Sequence, residues 1–225
     1  MNGRLSIVAT PIGNMEDITL RAIRVLSEAD YVLCEDTRVT GKLMKYHNID
    51  AKLKRYDAHA SEKTHAEILR DIEEGKHIAL VSDAGTPGVS DPGVLLVNMA
   101  RALGPRIDAI PGASALTAAV SIAGLEGNQF AFLGFVPQKK GRETFFKSLP
   151  SYEIPVIFYE SVHRIMKTLE SLTEHLSAGA YIVVARELTK MHEEVVKGSP
   201  EEVMKYYEEH SDKVRGEFVV LVKNP

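Results

Sequence analysis

Tryptophan is absent from the 225 residues, and cysteine occurs once, as Cys34. A lone cysteine excludes an internal disulfide, so a buried core must hold the fold, and a reducing compartment suits the chain. Within the apolar run YVLC, Cys34 reads as a small core hydrophobe. No run approaches the roughly 20 apolar residues of a membrane span. The opening MNGRLSIVATPIGN has one basic residue and too short an apolar run for a secretory signal. These absences lead us to expect a cytoplasmic protein with no membrane attachment. Excess positive charge is lacking too. The net charge of −4 disfavours bulk, sequence-blind binding to nucleic acid. The turn TPIGN is neither a G-x-G-x-x-G nor a phosphate-binding P-loop, and G-K-[ST] does not occur. His59 and His65 have no third ligand at a sensible spacing, so no metal site is expected.

What is present is ordinary in amount and uneven in placement. Apolar residues make up 44% and charged residues 26%, the balance of a globular protein. Six Lys and Arg fall within residues 38–55 and four within 138–147, whereas 193–212 carries seven acids. Two basic patches on an acidic protein suit a structured polyanion, while the acidic stretch reads as a solvated helix face. In the first half, LSIVAT, YVLC, KLKRYD, HIALV and IDAIP read as strands, with KLKRYD as an edge. DITLRAIRVLSEAD, TRVTGKLMKYH, SEKTHAEILRDIEEG and PGVLLVNMARALG read as the helices between them. Asp17 or Thr19 caps the first helix, whose Leu20, Ile23 and Leu26 share a face, and Ser61 caps the third. Such alternation means parallel strands with right-handed crossovers. The second half opens with the Ala-rich helix GASALTAAVSIAGLEG. Strands FAFLGFV, IPVIFYE, AYIVVARE and GEFVVLVK follow, with amphipathic helices between them, and EEVVKG as a short extra strand would make this sheet mixed. We expect an α/β protein of two α/β domains, residues 1–112 with a Rossmann-like, mostly parallel sheet and residues 113–225 with a mixed sheet.

The segment VSDAGTPGVSDPG, residues 81–93, is too rich in Gly and Pro for a helix or strand interior. It follows a buried strand, as do TPIGN (10–14), EDTR (35–38) and PGASA (111–115). Ligands of open α/β sheets bind beyond the carboxyl ends of the strands. Parallel strands bring all four turns to one edge, where glycines admit a close ligand and Asp83 can accept bonds from an amine or hydroxyl.

Several segments, in this order along nearly the whole chain, carry a family likeness: LSIVATPIGNMEDITLRAIRVLSEADYVLCEDTR, ALVSDAGTPGVSDPG, IPGASALTAAVSIAGL, FYESVHRI, ARELTKMHEEVVKG and GEFVVLV. The sequence resembles the small-subunit ribosomal RNA ribose 2′-O-methyltransferases of the tetrapyrrole methylase superfamily. ATPIGN…EDTR with SDAGTPG marks the RNA branch; corrin and sirohaem methylases begin instead with a G-x-G-x-G-D type turn, absent here. The resemblance implies a two-domain α/β homodimer that binds S-adenosylmethionine in the cleft between its domains. It implies methylation of the ribose 2′-hydroxyl of a decoding-site cytidine in 16S ribosomal RNA on the assembled small subunit. It carries donor-binding roles onto Pro11, Asp83, Ala84, Gly85, Thr86, Ser114, Ala115 and Tyr159, and onto Glu187, Leu188 and Thr189. Three departures stand out. Typical members continue into a small C-terminal domain, whereas this sequence stops at Pro225. Asp57 replaces the first His of a Tyr-His-x-His pattern, and Val162 replaces the usual Pro of FYESPHR.

Methyl transfer from a sulfonium is an in-line displacement on an activated donor, so positioning supplies much of the acceleration. The 2′-hydroxyl also needs a destination for its proton. On the ligand edge, Asp36 is the candidate base, Glu35 its alternative, and Arg38 an anchor for phosphate or ribose. A capping Asp and a surface Arg explain the same residues about equally well. Phe145 and Phe146 beside Lys139, Lys140 and Arg142 could stack on RNA, but a plain amphipathic helix explains them better. His163 and Arg164 follow a strand end, where capping and ligand roles compete. Two other functions remain in play. One is a methylase of a tetrapyrrole or another small molecule, which the net charge favours and the basic patches disfavour. The other is a non-catalytic cofactor sensor, which would bind without turnover.

Overall fold

Five short segments of the first half pair into one all-parallel sheet. They are β1 (Arg4–Val8), β2 (Tyr31–Cys34), β3 (Leu53–Arg55), β4 (His77–Leu80) and β5 (Arg106–Ile110), in the order β3-β2-β4-β1-β5. The computed structural model describes residues 3–90 and 93–225. Asp91 and Pro92, which the sequence assigns to the long turn and the helix start after it, lie outside the described residues. The chain divides into two units, Met1–Ser114 and Ala115–Pro225.

In the first unit, helices cover both faces of the sheet, which is why β2 and β4 at its centre read as nearly continuous apolar runs. Side chains alternate along β2. Val32 and Cys34 join a core with Ala22, Val25 and Leu26 of α1 (Leu20–Glu28) and Leu43 and Met44 of α2 (Thr37–Tyr46). Tyr31 and Leu33 join the opposite core, with Ile68 and Ile72 of α3 (Glu62–Glu73) and Leu96 and Ala100 of α4 (Val94–Leu103). Burial pushes the Cys34 thiol pKa up, as expected of a core residue. On α1 the sequence reading holds for Leu26, which is buried, and for Ile23, which packs against the same core, but not for Leu20. Thr19 caps the helix, its Oγ1 accepting from the Ala22 amide at 3.1 Å, so the buried stripe is Ala22, Val25 and Leu26. Leu20 lies two residues before Ala22, about 200° round the helix, and is 86% exposed. Asp17 closes a short 3₁₀ turn instead.

The second unit holds β6 (Ala131–Phe135), β7 (Val156–Ser161), β8 (Tyr181–Arg186), β9 (Glu194–Gly198) and β10 (Glu217–Lys223) in the order β6-β7-β10-β8-β9. β6 and β7 run parallel and the remaining neighbours antiparallel, so EVVKG does make the sheet mixed. One face, with Phe158, Val184 and Phe218, packs under α6 (Arg142–Ser148), α7 (Ile165–His175) and α8 (Pro200–Glu209). The helix α5 (Ala115–Ala123) packs on β8 and β10. A capping box between Ser199 and Glu202 starts α8. Phe146 is 1% exposed and Phe145 packs beside it against Phe158, so both belong to this core and neither is an RNA-stacking platform. Among the described residues, no helix is long and apolar enough to cross a membrane.

Candidate functional site

In the first sheet, the connection leaving β1 crosses β4 to reach β2, and the connection leaving β4 crosses β1 to reach β5. The carboxyl ends of β1 and β4 therefore flank the topological switch point. Their turns are stitched together there. The Thr10 amide donates to the Gly85 carbonyl at 2.9 Å, and the Gly85 amide donates back to Thr10 at 3.1 Å. Buried Thr10 adds a hydroxyl bond to the Ser82 carbonyl at 3.1 Å. The turn after β5 joins through Thr86, whose hydroxyl donates to the Ala113 carbonyl at 3.3 Å. It packs closely, since a Cβ on Gly112 would stand 3.1 Å from that of Ala9. The turn after β2 joins through the Asp36 amide, which donates to Asp83 Oδ1 at 3.1 Å. All four turns thus form one connected edge.

Each residue's place follows from this stitching. Gly85, with φ +85°, reverses the chain so that its amide and carbonyl both reach Thr10. Asp83 and Ala84 are left exposed on the turn, Thr86 is half-buried, and Pro11 and Gly85 are buried. Ser114, half-buried, closes the first unit, and Ala115 opens α5 in the second.

The two carboxylates of EDTR stand in different environments. Asp36 is the N-cap of α2. Its Oδ1 accepts from the Arg38 amide at 2.8 Å, and its Oδ2 accepts from Arg38 Nη2 at 2.6 Å. Those Arg38 bonds hold the Asp36 carboxyl far below the usual range, which suits an anion and opposes proton uptake. The Arg38 side chain is 87% exposed. Glu35 is half-buried, and burial first, then the negative charge of Asp83, pushes its carboxyl up.

In the second unit, the Tyr159 hydroxyl accepts from the Leu116 amide at 3.1 Å and so covers the first turn of α5, next to Ala115. Its ring meets Phe132 and Phe135 edge-on. Glu187 and Thr189, just beyond β8, adopt φ of +51° and +65°, a left-handed conformation costly for residues with a Cβ. Buried Leu188 anchors them. The Glu187 carboxylate accepts from Lys190 Nζ at 2.8 Å and the Glu217 amide at 3.2 Å. Burial alone would raise its pKa, but these partners hold it below the usual range. Thr189 donates its amide to Glu193 Oε2 at 2.6 Å. Gly216, with φ +82°, has no room for a Cβ, because the Glu187 carboxylate fills that space. Sequence reasoning missed Lys190, Gly216 and Glu217; the glycine directly before EFVVLV was the available signal.

The basic stretch 138–147 splits. Lys139 and Lys140 are exposed, but Arg142 turns inward onto Glu160. His65 is buried and bonded to the Tyr56 hydroxyl at 3.1 Å, whereas His59 is exposed.

Comparison with known proteins places the chain among relatives. Residues 4–204 match the family described as Tetrapyrrole (Corrin/Porphyrin) Methylases. The "Ribosomal RNA small subunit methyltransferase I" of Thermotoga maritima is 41% identical over 220 residues, which cover 98% of both chains. The protein of that name from Escherichia coli is 41% identical over 222 residues, covering 98% of this chain and 78% of the relative. A solved uroporphyrin-III C-methyl transferase from Thermus thermophilus, complexed with S-adenyl homocysteine, shares the fold. Its TM-score is 0.66 at 21% identity, covering 98% of this chain and 97% of the other.

Proposed function

The chain belongs to the tetrapyrrole (corrin/porphyrin) methylase family, and from that premise we propose that it methylates the ribose 2′-hydroxyl of a decoding-site cytidine in small-subunit ribosomal RNA. It is a methyltransferase whose donor is S-adenosylmethionine. The support for RNA over a small-molecule acceptor is the 41% identity to ribosomal RNA methyltransferases across 98% of the chain. The Thermotoga maritima relative is matched over 98% of its own length.

The described residues fit such a donor. The edge built from the four turns offers the Asp83 carboxylate, with Oδ1 committed to the Asp36 amide and hydrogen-bonding capacity left for an amine or ribose hydroxyl. Beside it lie exposed backbone at Ala84 and the half-buried Thr86. Pro11 and Gly85 shape the turns, and Ser114, Ala115, Tyr159, Glu187, Leu188 and Thr189 complete the proposed donor set. When bound, the donor supplies an activated methyl group on a sulfonium. The protein's own task is then to orient the ribose and accept its proton. We assign proton acceptance to Glu35 rather than Asp36, because the Asp36 carboxylate is occupied by Arg38 and the α2 cap. Asp36 instead steers the exposed Arg38 guanidinium, which suits a phosphate. Lys139 and Lys140 add sequence-blind attraction to RNA. On this reading the protein works in the cytoplasm as a homodimer.

The test is to incubate the protein and S-adenosylmethionine with small subunits from cells lacking the enzyme, then map the modified nucleotide. One new cytidine at the decoding site, resistant to alkaline cleavage on its 3′ side, is expected. A methyl group on a base, or at scattered positions, would overturn the ribose assignment.

A further inference from the structure

We infer that Glu160 is a positioning residue that holds the Lys139–Lys140 turn in place for RNA, a proposal that rests on the RNA reading above. Glu160 is the penultimate residue of β7, with a side chain that is 0% exposed. A carboxylate without solvent needs compensation from several donors, and Glu160 receives it from four. Its Oε2 accepts from Arg142 Nη1 at 3.1 Å and from the Thr168 hydroxyl at 2.7 Å. Its Oε1 pairs with Arg164 Nη2 at 2.7 Å and accepts from the Ser161 amide at 2.7 Å. Arg142 also donates Nη2 to Thr168 Oγ1 at 2.8 Å, and its guanidinium lies over the Phe146 ring, 5.0 Å from the centroid. Arg142 is thus bound on its charged end and along its plane.

The chain on either side makes this clamp consequential. Arg142 is the first residue of α6, and its amide donates to the Lys139 carbonyl at 3.3 Å, closing the turn that carries Lys139 and Lys140. Gly141, with φ +87°, makes the bend. Arg164 is the N-cap of α7. One buried carboxylate therefore fixes the starts of two helices to the end of one strand, and the exposed lysines sit on the first of these junctions. Glu160 itself does not reach solvent, so it acts through the turn. Two fixed lysines meet two phosphates with less ordering cost than two mobile ones.

The experiment is a double-mutant cycle on methyl transfer to small subunits, with salt titration of subunit binding. Glu160→Gln keeps the shape but removes the charge that holds both arginines. It should raise KM for subunits about 10-fold or more while leaving kcat and donor Kd near wild type. Lys139→Ala with Lys140→Ala should reduce the slope of log K against log salt by roughly 1.4–1.8, for two lost phosphate contacts. In that double-lysine background, Glu160→Gln should cost little further affinity. Equal losses in both backgrounds, or a fall in kcat and donor affinity instead, would make Glu160 merely structural and overturn the inference. Thr168→Val, which removes one hydroxyl and retains the ion pairs, provides a milder variant and should shift KM in the same direction if Glu160→Gln does not fold. No KM shift with folded Thr168→Val would then count against the clamp. Wild-type protein that neither binds nor methylates subunits would overturn the RNA reading itself, and the inference with it.

Discussion

Replacing Gly85 by alanine tests whether the stitched turns are what the donor recognises. Gly85 has φ +85°, with its amide and carbonyl both bonded to Thr10. An added Cβ would lie 3.4 Å from Ile12 Cγ2, at the near limit of ordinary van der Waals contact. The cost therefore comes from the left-handed backbone, about 1–2 kcal/mol for a residue with a Cβ. That strain has two outlets. The turn can keep its shape, and folding stability falls by that amount. Alternatively the turn relaxes, gives up the Thr10 bonds and leaves the binding-competent state, so the apparent Kd rises by the inverse of the competent fraction. Since the strain limits both outlets, donor affinity should fall by no more than about 5–30-fold. Titration calorimetry with S-adenosylmethionine and its demethylated product, paired with thermal unfolding, reads both. Gly104→Ala is the control. Gly104 has φ +73° at the end of α4 with nothing within 4 Å of its would-be Cβ, so it carries a similar backbone cost away from the turns. Wild-type affinity and stability for Gly85→Ala would refute the reasoning. So would an equal loss of donor affinity in Gly104→Ala.

Glu35→Gln should slow single-turnover methyl transfer roughly 10²–10⁴-fold with little change in donor affinity, while Asp36→Asn should do much less; the reverse order would return the base role to Asp36. Because burial and Asp83 raise the Glu35 pKa, the wild-type rate should fall on acidification at a pH above the usual glutamate range, as stopped or quenched-flow assays across pH would show. The folded state then holds this proton more tightly than the unfolded chain, so its stabilising contribution is lost as pH rises through the raised pKa. Glu35→Gln should accordingly melt slightly above wild type at neutral pH, and a lower melting temperature would contradict that sign. Phe146→Ala, at a side chain 1% exposed, should cost about 3–5 kcal/mol in denaturant unfolding; a stable variant with selectively lost RNA binding would restore the stacking role.

How much was legible depended on whether the information was local. The strand YVLC emerged with those four residues because both faces of β2 are buried, leaving an unbroken apolar run between polar neighbours. Asp36 and Ser61 were legible as caps, since short polar side chains before a helix satisfy its free amides. On α1 only Leu20 was misplaced, because it fits a plausible stripe with Ile23 and Leu26 and the Thr19 cap is what shows where the helix starts. Long-range partners left no local trace. The Thr10–Gly85 pair joins residues 75 apart, and the Arg142–Glu160 pair residues 18 apart, so Arg142 looked like any other member of a basic patch. The left-handed Glu187 and Thr189 were invisible for another reason: neither residue is the glycine that usually marks such a conformation.

The most direct measurement follows labelled methyl from S-adenosylmethionine onto two acceptors side by side: small subunits lacking the modification, and a reduced uroporphyrin. The expected result is near-stoichiometric label on the subunits, carried in ribose, with the tetrapyrrole at background. Label on the tetrapyrrole and none on the subunits would contradict the central claim.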